Sequence, residues 1–461
     1  MNVKKRFAPK PQMSMIEGSI WKGLLSFTMP IVLGNMFQLL YNAADAFIVG
    51  NFLGKEALAA VSSSANLIHL MVGFINGMAV GAGILIAKYF GAKDTEKMRT
   101  AIHTNMAFGI IAGLVLTAVG VAFSPHILRL MNTPESVLPS ATAYFRTYFY
   151  GTIASVVANI ATGILQAVGD SRHPLYYLMI SSVLNVLLDL LFVGGWGCGV
   201  ASAAMATIIS QIVSATLCVW QLMRTRENYR LGLRELRIDW PMLKLIVRFG
   251  FPTAMQHCLI SFANVTIQAN VNVFGDSAMA GYGSYSKIES FAGLPTSCFS
   301  MSLSTFVSQN LGAKQHDRVK KGARFGIICT MVVTQLVGVI IGLFAGPLVS
   351  IFNSDPEVVA FGVLQSRVVC MFYWMLAWNH CAAGILRGAG KATVPMAIML
   401  SVWCALRVTY VTIMASLWPN IMVVYSAYPV TWSISSIAFL IYYLKVDWIH
   451  TFDRLEAQNK A

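Results

Sequence analysis

The stretch LLSFTMPIVLGNMFQLLYNAADAFIVG, residues 24–50, carries one charge, Asp45, in 27 positions. A hydrocarbon core of about 30 Å is crossed by roughly 20 apolar helical residues, so this run is long enough to span a bilayer. The whole chain has the same character: of 461 residues 56% are hydrophobic and 11% charged, with a mean hydropathy of +0.65, where a soluble domain carries about a quarter charged residues. Outward from the first run, similar runs recur at 57–87, 101–123, 141–163, 174–196, 199–222, 242–273, 279–309, 323–351, 358–386, 395–417 and 420–445. Lipid-facing barrel strands need only about ten residues of alternating character, whereas these runs are long and continuously apolar. The expected fold is an all-α membrane protein of twelve transmembrane helices.

Sidedness follows from Lys and Arg, which concentrate in cytoplasmic links. With twelve spans, 27 of the 33 basic residues fall on one side, including Lys4, Lys5, Arg6, Lys10, Arg224 to Arg248, Arg387 and Lys460; Lys55 and Arg129 fall on the other. Both termini are therefore expected in the cytoplasm. The net charge of +14 is topological and gives no reason to expect a nucleic-acid partner. The basic amino end, MNVKKRFAPK, precedes an apolar run without a small-residue cleavage site and reads as leading into an uncleaved first span. Eight cysteines stand singly in apolar segments and read as small buried hydrophobes.

Displacing the sequence by 221 positions brings two halves into register. FLGKEALAA around Gly54 meets VFGDSAMAG around Gly275, YFGAKD meets NLGAKQ at Gly91 and Gly312, and GILQAVGDSRHP meets GILRGAGKATVP at Gly169 and Gly390. Each half holds six spans, an even number, so the halves share one orientation and are related by an axis along the membrane normal. The expected organisation is a six-helix lobe over 1–222, a cytoplasmic linker over 223–242, a second six-helix lobe over 243–445 and a cytoplasmic tail over 446–461. Two pseudo-symmetric bundles facing a cleft can rock to open to either side, which is transporter architecture.

The halves differ in their charges. Asp45 falls on Thr266 and Asp189 on Tyr410, so a carboxylate pair belongs to the first half alone. Counted from the outer ends of their spans, Asp45, Asp189 and Thr207 lie about 8, 10 and 12 Å deep, and Asn185 shares the face of Asp189 one turn away. An ionisable group in a span is costly unless it is paired or lines a watered cavity. Two carboxylates at one site repel, so at least one is expected to hold a proton near neutral pH; Na⁺ could replace that proton, coordinated by carboxylate, amide and hydroxyl oxygens. The bland alternative is that Asp45 and Asp189 bond between helices or pair with Arg146. In the second half Glu289 and Arg407 both fall near mid-membrane, either as a substrate-binding pair or as a structural ion pair. Lys287, two residues from Glu289, points elsewhere. His257 and His380, in apolar surroundings, read as satisfied core residues.

PIVLGNMFQLLYNAADAFIVGNFLGKEALAA, KYFGAKD, GILQAVGDSRHPLYY, NVLLDLLFV and GVASAAMATIISQ resemble, in order and spacing, the signature segments of the multidrug and toxic compound extrusion (MATE) transporters. The resemblance implies a secondary active antiporter of a bacterial cytoplasmic (inner) membrane, exporting amphipathic, often cationic organic compounds in exchange for H⁺ or Na⁺, with no other cofactor. It carries an ion-coupling role to Asp45, Asn185, Asp189 and Thr207, and also to Tyr144 and Asn159 in span four. One branch of the family uses acidic residues in spans seven and ten; those spans hold no Asp or Glu here, so the chain resembles the bacterial branch with its ion site in the first lobe. A monomer in membrane lipid is the expected form. The alternative cargo is a lipid-linked oligosaccharide, whose phosphates would favour a strongly basic cavity. An enzyme is not expected, because no nucleophile, base or metal constellation appears at workable spacing and no phosphate-binding Gly-x-x-x-x-Gly-Lys-Ser/Thr loop occurs.

Overall fold

A computed structural model describes residues 15–130, 135 and 137–458, and these form helices without a strand. Lys4, Lys5, Arg6, Lys10 and Lys460, part of the charge argument for sidedness, lie outside the described residues. In the first half the helices are α1 (Ile20–Phe52), α2 (Lys55–Gly91), α3 (Thr95–Leu130), α4 (Leu138–Tyr150), α5 (Thr152–Ala167), α6 (Arg172–Asp189) and α7 (Ala201–Arg224). After a linker come α8 (Trp240–Asn272), α9 (Asp276–Gly312), α10 (His316–Leu343), α11 (Ala345–Ser350), α12 (Pro356–Val369), α13 (Tyr373–Gly388), α14 (Thr393–Met399), α15 (Arg407–Leu417) and α16 (Ile421–Lys445), with α17 (Thr451–Gln458) in the tail.

Twelve spans result once broken helices are joined. α4 and α5 meet at 47°, α12 passes to α13 through a 3-10 turn at Cys370–Phe372, and π-helical turns at Leu190–Gly195 and Leu400–Leu406 extend α6 and join α14 to α15. By length and apolar composition alone nine described helices qualify as spans, and the α4–α5 pair makes a tenth. The two that do not qualify, α8 and α9, are rich in polar residues. Along α9 the hydroxyls of Ser284, Ser286, Ser290 and Ser302 donate to carbonyls four residues back, at 2.8–2.9 Å. A polar helix thereby satisfies its own donors where water is scarce.

The repeat is visible in the backbone. Left-handed conformations occur at Gly54 and Gly275 (φ 86° and 98°), at Gly169 and Gly390 (93° and 80°), and at Lys93 and Lys314 (57° and 56°). Each pair is 221 positions apart. Gly54 and Gly275 turn α1 into α2 and α8 into α9, and glycine takes that conformation without the Cβ penalty.

The halves close on each other at the basic end. Gln309 Nε2 donates to the Ala167 carbonyl at 2.7 Å, Asn310 Nδ2 to the Met15 carbonyl at 3.2 Å, and Arg318 to carbonyls of Met15, Glu17 and Gly18. α2 lies so near α8 that a Cβ on Gly81 would stand 2.2 Å from Gly250 Cα, and one on Gly77 2.3 Å from Ala254 Cα. The linker is docked on α3, with Arg99 paired to Glu235 at 2.6 Å and the Gly232 N–H donating to His103 Nε2 at 3.0 Å.

Candidate functional site

The first-half site is built from four helices. α1 brings Asp45, α4 brings Tyr144, the last turn of α6 brings Asn185 and Asp189, and α7 brings Thr207. Asp189 is fully buried and Asn185 nearly so, while Asp45 is partly exposed. The π turn starts at the residue after Asp189; π turns widen the helix locally and often accompany function. Asp45 and Asp189 meet side chain to side chain, and the Tyr144 hydroxyl lies within electrostatic reach of both. Asn185 Nδ2 donates to Thr207 Oγ1 at 3.4 Å, tying α6 to α7, while Thr207 Oγ1 donates to the Ala203 carbonyl at 3.2 Å.

The acceptors left over are the chemically informative part. Asp45 Oδ1, both Asp189 carboxylate oxygens and Asn185 Oδ1 are buried with no hydrogen-bond partner among the described residues. Four acceptor oxygens on two helices, without a donor, are costly to bury. A proton or a small cation supplies what they lack, and carboxylate, amide and hydroxyl oxygens are ligands for a hard monovalent or divalent cation.

No hydrogen bond ties Asn159 to this group among the described residues. Its amide donates to the Ser155 carbonyl at 2.8 Å, within its own helix. Tyr144 and Asn159 both belong to span four, and the 47° bend at Gly151 places them on its two segments, α4 and α5. Arg146, the other partner considered for the aspartates, is exposed and forms no salt bridge with them among the described residues.

The second half places Glu289 and Arg407 within electrostatic reach of one aromatic cluster. They do not form a salt bridge, though each lies within electrostatic reach of the other. Arg407 is 2% exposed; its Nε and Nη2 donate to Thr431 Oγ1 at 3.0 and 2.8 Å, and its guanidinium lies 4.7 Å from the Tyr428 ring and 5.2 Å from the Trp403 ring. The structural ion pair considered from the sequence is therefore replaced by a hydroxyl and two rings. Lys287 points outward over Phe352 at 5.2 Å. Around Glu289 stand two hydroxyl pairs, Tyr282 with Tyr428 at 2.8 Å and Tyr285 with Tyr373 at 2.7 Å. These tyrosines were missed in the sequence, although Tyr282, Tyr285 and Glu289 share a helical face at spacings of three and four.

Arg387 needs correction too. Counted among the basic links, it lies inside α13, 8% exposed, donating to Ser300 Oγ at 3.0 Å with its Nε unpartnered among the described residues. His257 and His380 lie close by.

Comparison with known proteins gives a consistent picture. The MatE family model matches residues 30–191 and 252–413, once in each half. The chain is 28% identical over 446 residues to the probable multidrug resistance protein YoeA of Bacillus subtilis, covering 92% of this chain and 96% of that protein. It is also 27% identical to an FAD transporter of Shewanella oneidensis over 76% of this chain and 78% of the relative. Among solved structures it superposes with TM-score 0.88, at 21% identity, on the outward-facing conformation of a multidrug resistance MATE family transporter of the MOP superfamily, covering 98% of this chain and all of the other.

Proposed function

Because the chain belongs to the MatE family, which comprises multi-pass membrane transporters and not enzymes, we propose that it is a secondary antiporter that exports amphipathic organic compounds in exchange for H⁺ or Na⁺ taken up at Asp45, Asp189, Asn185 and Thr207. The observation that carries this reading is the set of four buried acceptor oxygens without donors. Loading that set with a proton or cation removes the repulsion between two carboxylates and favours whichever cleft state holds them together. An ion gradient thereby biases the two states. Twelve spans in two matching halves, closed on each other at the basic end, give the cleft that alternates. In the bacterial inner membrane both termini would then face the cytoplasm.

The cargo is read as an organic cation, because Glu289, near mid-membrane by its depth along the span, has four tyrosines within electrostatic reach, where charge attraction and cation–π contact act together. A second reading, a cargo with an anionic group, is favoured by the unpartnered Nε of Arg387 and by Arg407, which forms no salt bridge among the described residues; a transporter of FAD is among the relatives.

Efflux from proteoliposomes under separately imposed H⁺ and Na⁺ gradients tests the coupling. Asp45→Asn and Asp189→Asn are each expected to abolish gradient-driven efflux while the protein stays folded and monodisperse. Retained gradient-driven efflux in either variant would remove the coupling assignment, whereas loss of folding would return both aspartates to a structural role.

A further inference from the structure

The segment after the last span folds back at the basic end as α17, and it brings three metal-ligating side chains together. One ligand atom from each of His316, His450 and Asp453 lies within 4.8 Å of the others. The two imidazole rings are 4.8 Å apart at 34°. We propose that His316, His450 and Asp453 form a site for a divalent transition-metal ion of the zinc class, which fastens the tail helix over the seam between the two halves.

Protonation and hydrogen bonding leave the right atoms available. His450 Nδ1 donates to the Asp447 carboxylate, at 2.9 and 3.0 Å from its two oxygens. That bond leaves Nε2 as the lone-pair nitrogen, in the carboxylate–histidine–metal arrangement that orients an imidazole ligand. Asp447 is itself held by Arg454. His316, the first residue of α10, has a buried Nδ1 with no partner among the described residues. Asp453 is exposed and forms no salt bridge with a described residue. Two imidazoles and one carboxylate select zinc, nickel or copper over magnesium or calcium, which prefer all-oxygen shells. Three protein ligands leave one position for water. Bonds of about 2.0–2.1 Å hold tetrahedral ligand atoms about 3.3 Å apart, so the site closes by small rotamer changes of the exposed His450 and Asp453.

One of the two residues between His450 and Asp453 makes the site consequential. Phe452 is 4% exposed, its ring lies 6.4 Å from that of Phe249, and the Lys88 ammonium stands over it at 4.4 Å. Lys88 belongs to the first half and Phe249 to the second. An ion that fixes residues 450 and 453 fixes Phe452 between them, and so stabilises the state in which the basic end is shut. This last step rests on the alternating cleft; the metal site does not.

The test uses the full chain in nanodiscs, freed of any polyhistidine tag, with Zn²⁺ titrated against a chromophoric chelator and Co²⁺ as the spectroscopic probe. One Zn²⁺ per chain is expected, with tetrahedral Co²⁺ absorption bands, both lost in His316→Gln/Asp453→Asn. Asp447→Asn, which keeps all three ligands, is expected to weaken binding about 10–100-fold. Melting temperatures without metal check that each variant folds. Equal Zn²⁺ uptake by the double variant, or none by the parent chain, overturns the site. Hydrogen exchange over residues 447–454 is expected to slow on Zn²⁺ addition in the parent chain alone; binding without slowing overturns the fastening while leaving the site. Gradient-driven efflux is not part of this readout, so the metal site and the antiport reading fail independently.

Discussion

Asp45, Asp189 and Asn185 keep buried acceptors without donors, a cost that a proton or an ion offsets, and Thr207 joins them through Asn185. Residue type and depth mark these four positions in the sequence, and the structure brings Asn185 to Thr207 and Asp189 to Asp45; their role in coupling is the proposal that efflux tests. Glu289 poses the sharper question of cargo. Tyr282, Tyr285, Tyr373, Tyr428 and Arg407 all lie within electrostatic reach of it, and Arg407 makes its hydrogen bonds to Thr431 and no salt bridge to Glu289. If Glu289 is the charge that receives an organic cation, Glu289→Gln is expected to weaken efflux of cationic substrates by about 1–3 kcal/mol, the scale of a charge-assisted contact, and to spare neutral ones. Transport kinetics for a matched cationic and neutral pair check this. Equal impairment of both would make Glu289 a structural residue, and a preference for anionic compounds would shift the cargo reading to Arg387 and Arg407. The residues not recovered from the sequence share one property. Tyr282, Tyr285, Tyr373 and Tyr428 look like ordinary span aromatics until the helices are packed, and Arg387 looks like a link charge because it sits near the end of its helix.

Among the elements, the long runs were legible and their breaks were not. Hydropathy locates a span because it sums over about twenty residues, but a 47° bend between α4 and α5 depends on one residue, Gly151. A Cβ there would stand 2.3 Å from Ile208 Cγ1 and 2.9 Å from its Cβ, so α4 can pass α7 only with glycine at the crossing. Ile208 is β-branched and has little rotamer freedom with which to retreat. Gly151→Ala is therefore expected to cost about 1–3 kcal/mol by overpacking, read as a lower melting temperature in detergent. It also moves the segment carrying Tyr144, so the variant is expected to show weaker ion dependence of efflux with Asp45 and Asp189 intact. An unchanged melting temperature would mean that the α4–α7 crossing is looser than its geometry. The two π turns were equally invisible, since an extra residue in one turn leaves composition unaltered. They border the embedded charges: the first follows Asp189 and the second precedes Arg407.

Across the whole molecule the repeat is kept at the turns and broken at the seam. Gly91 meets the Gln309 carbonyl and Gly312 meets the Lys88 carbonyl, with Cβ positions that would fall 1.9 and 2.0 Å from those oxygens; the two contacts exchange under the displacement of 221. The close glycine approach of α2 to α8 has no such counterpart. Gly77 and Gly81 of α2 correspond to Cys298 and Ser302 of α9, while Ala254 and Gly250 of α8 correspond to Leu33 and Met29 of α1. Larger residues on both surfaces keep α1 from packing as closely on α9: Asn35 Nδ2 still donates to Cys298 Sγ at 3.3 Å, but Leu33 and Met29 are 37% and 54% exposed. The helix that carries Asp45 is thus packed less closely across the seam than its counterpart α8. Closure of the basic end then depends on the glycine contact, and a single methyl tests it. Gly81→Ala places a Cβ 2.2 Å from the Gly250 backbone, whereas Gly83→Ala, two residues along, meets nothing nearer than 3.8 Å. Overpacking of about 1–3 kcal/mol acts only on the closed state, and 1.4 kcal/mol is a tenfold change in population. Spin labels at Lys93→Cys and Lys314→Cys, on the symmetric turns of the basic end, are expected to show a longer-distance population in Gly81→Ala and an unchanged distribution in Gly83→Ala. If both variants keep the parent distribution, the seam tolerates a methyl and closure is held elsewhere, by Gln309, Asn310 and Arg318.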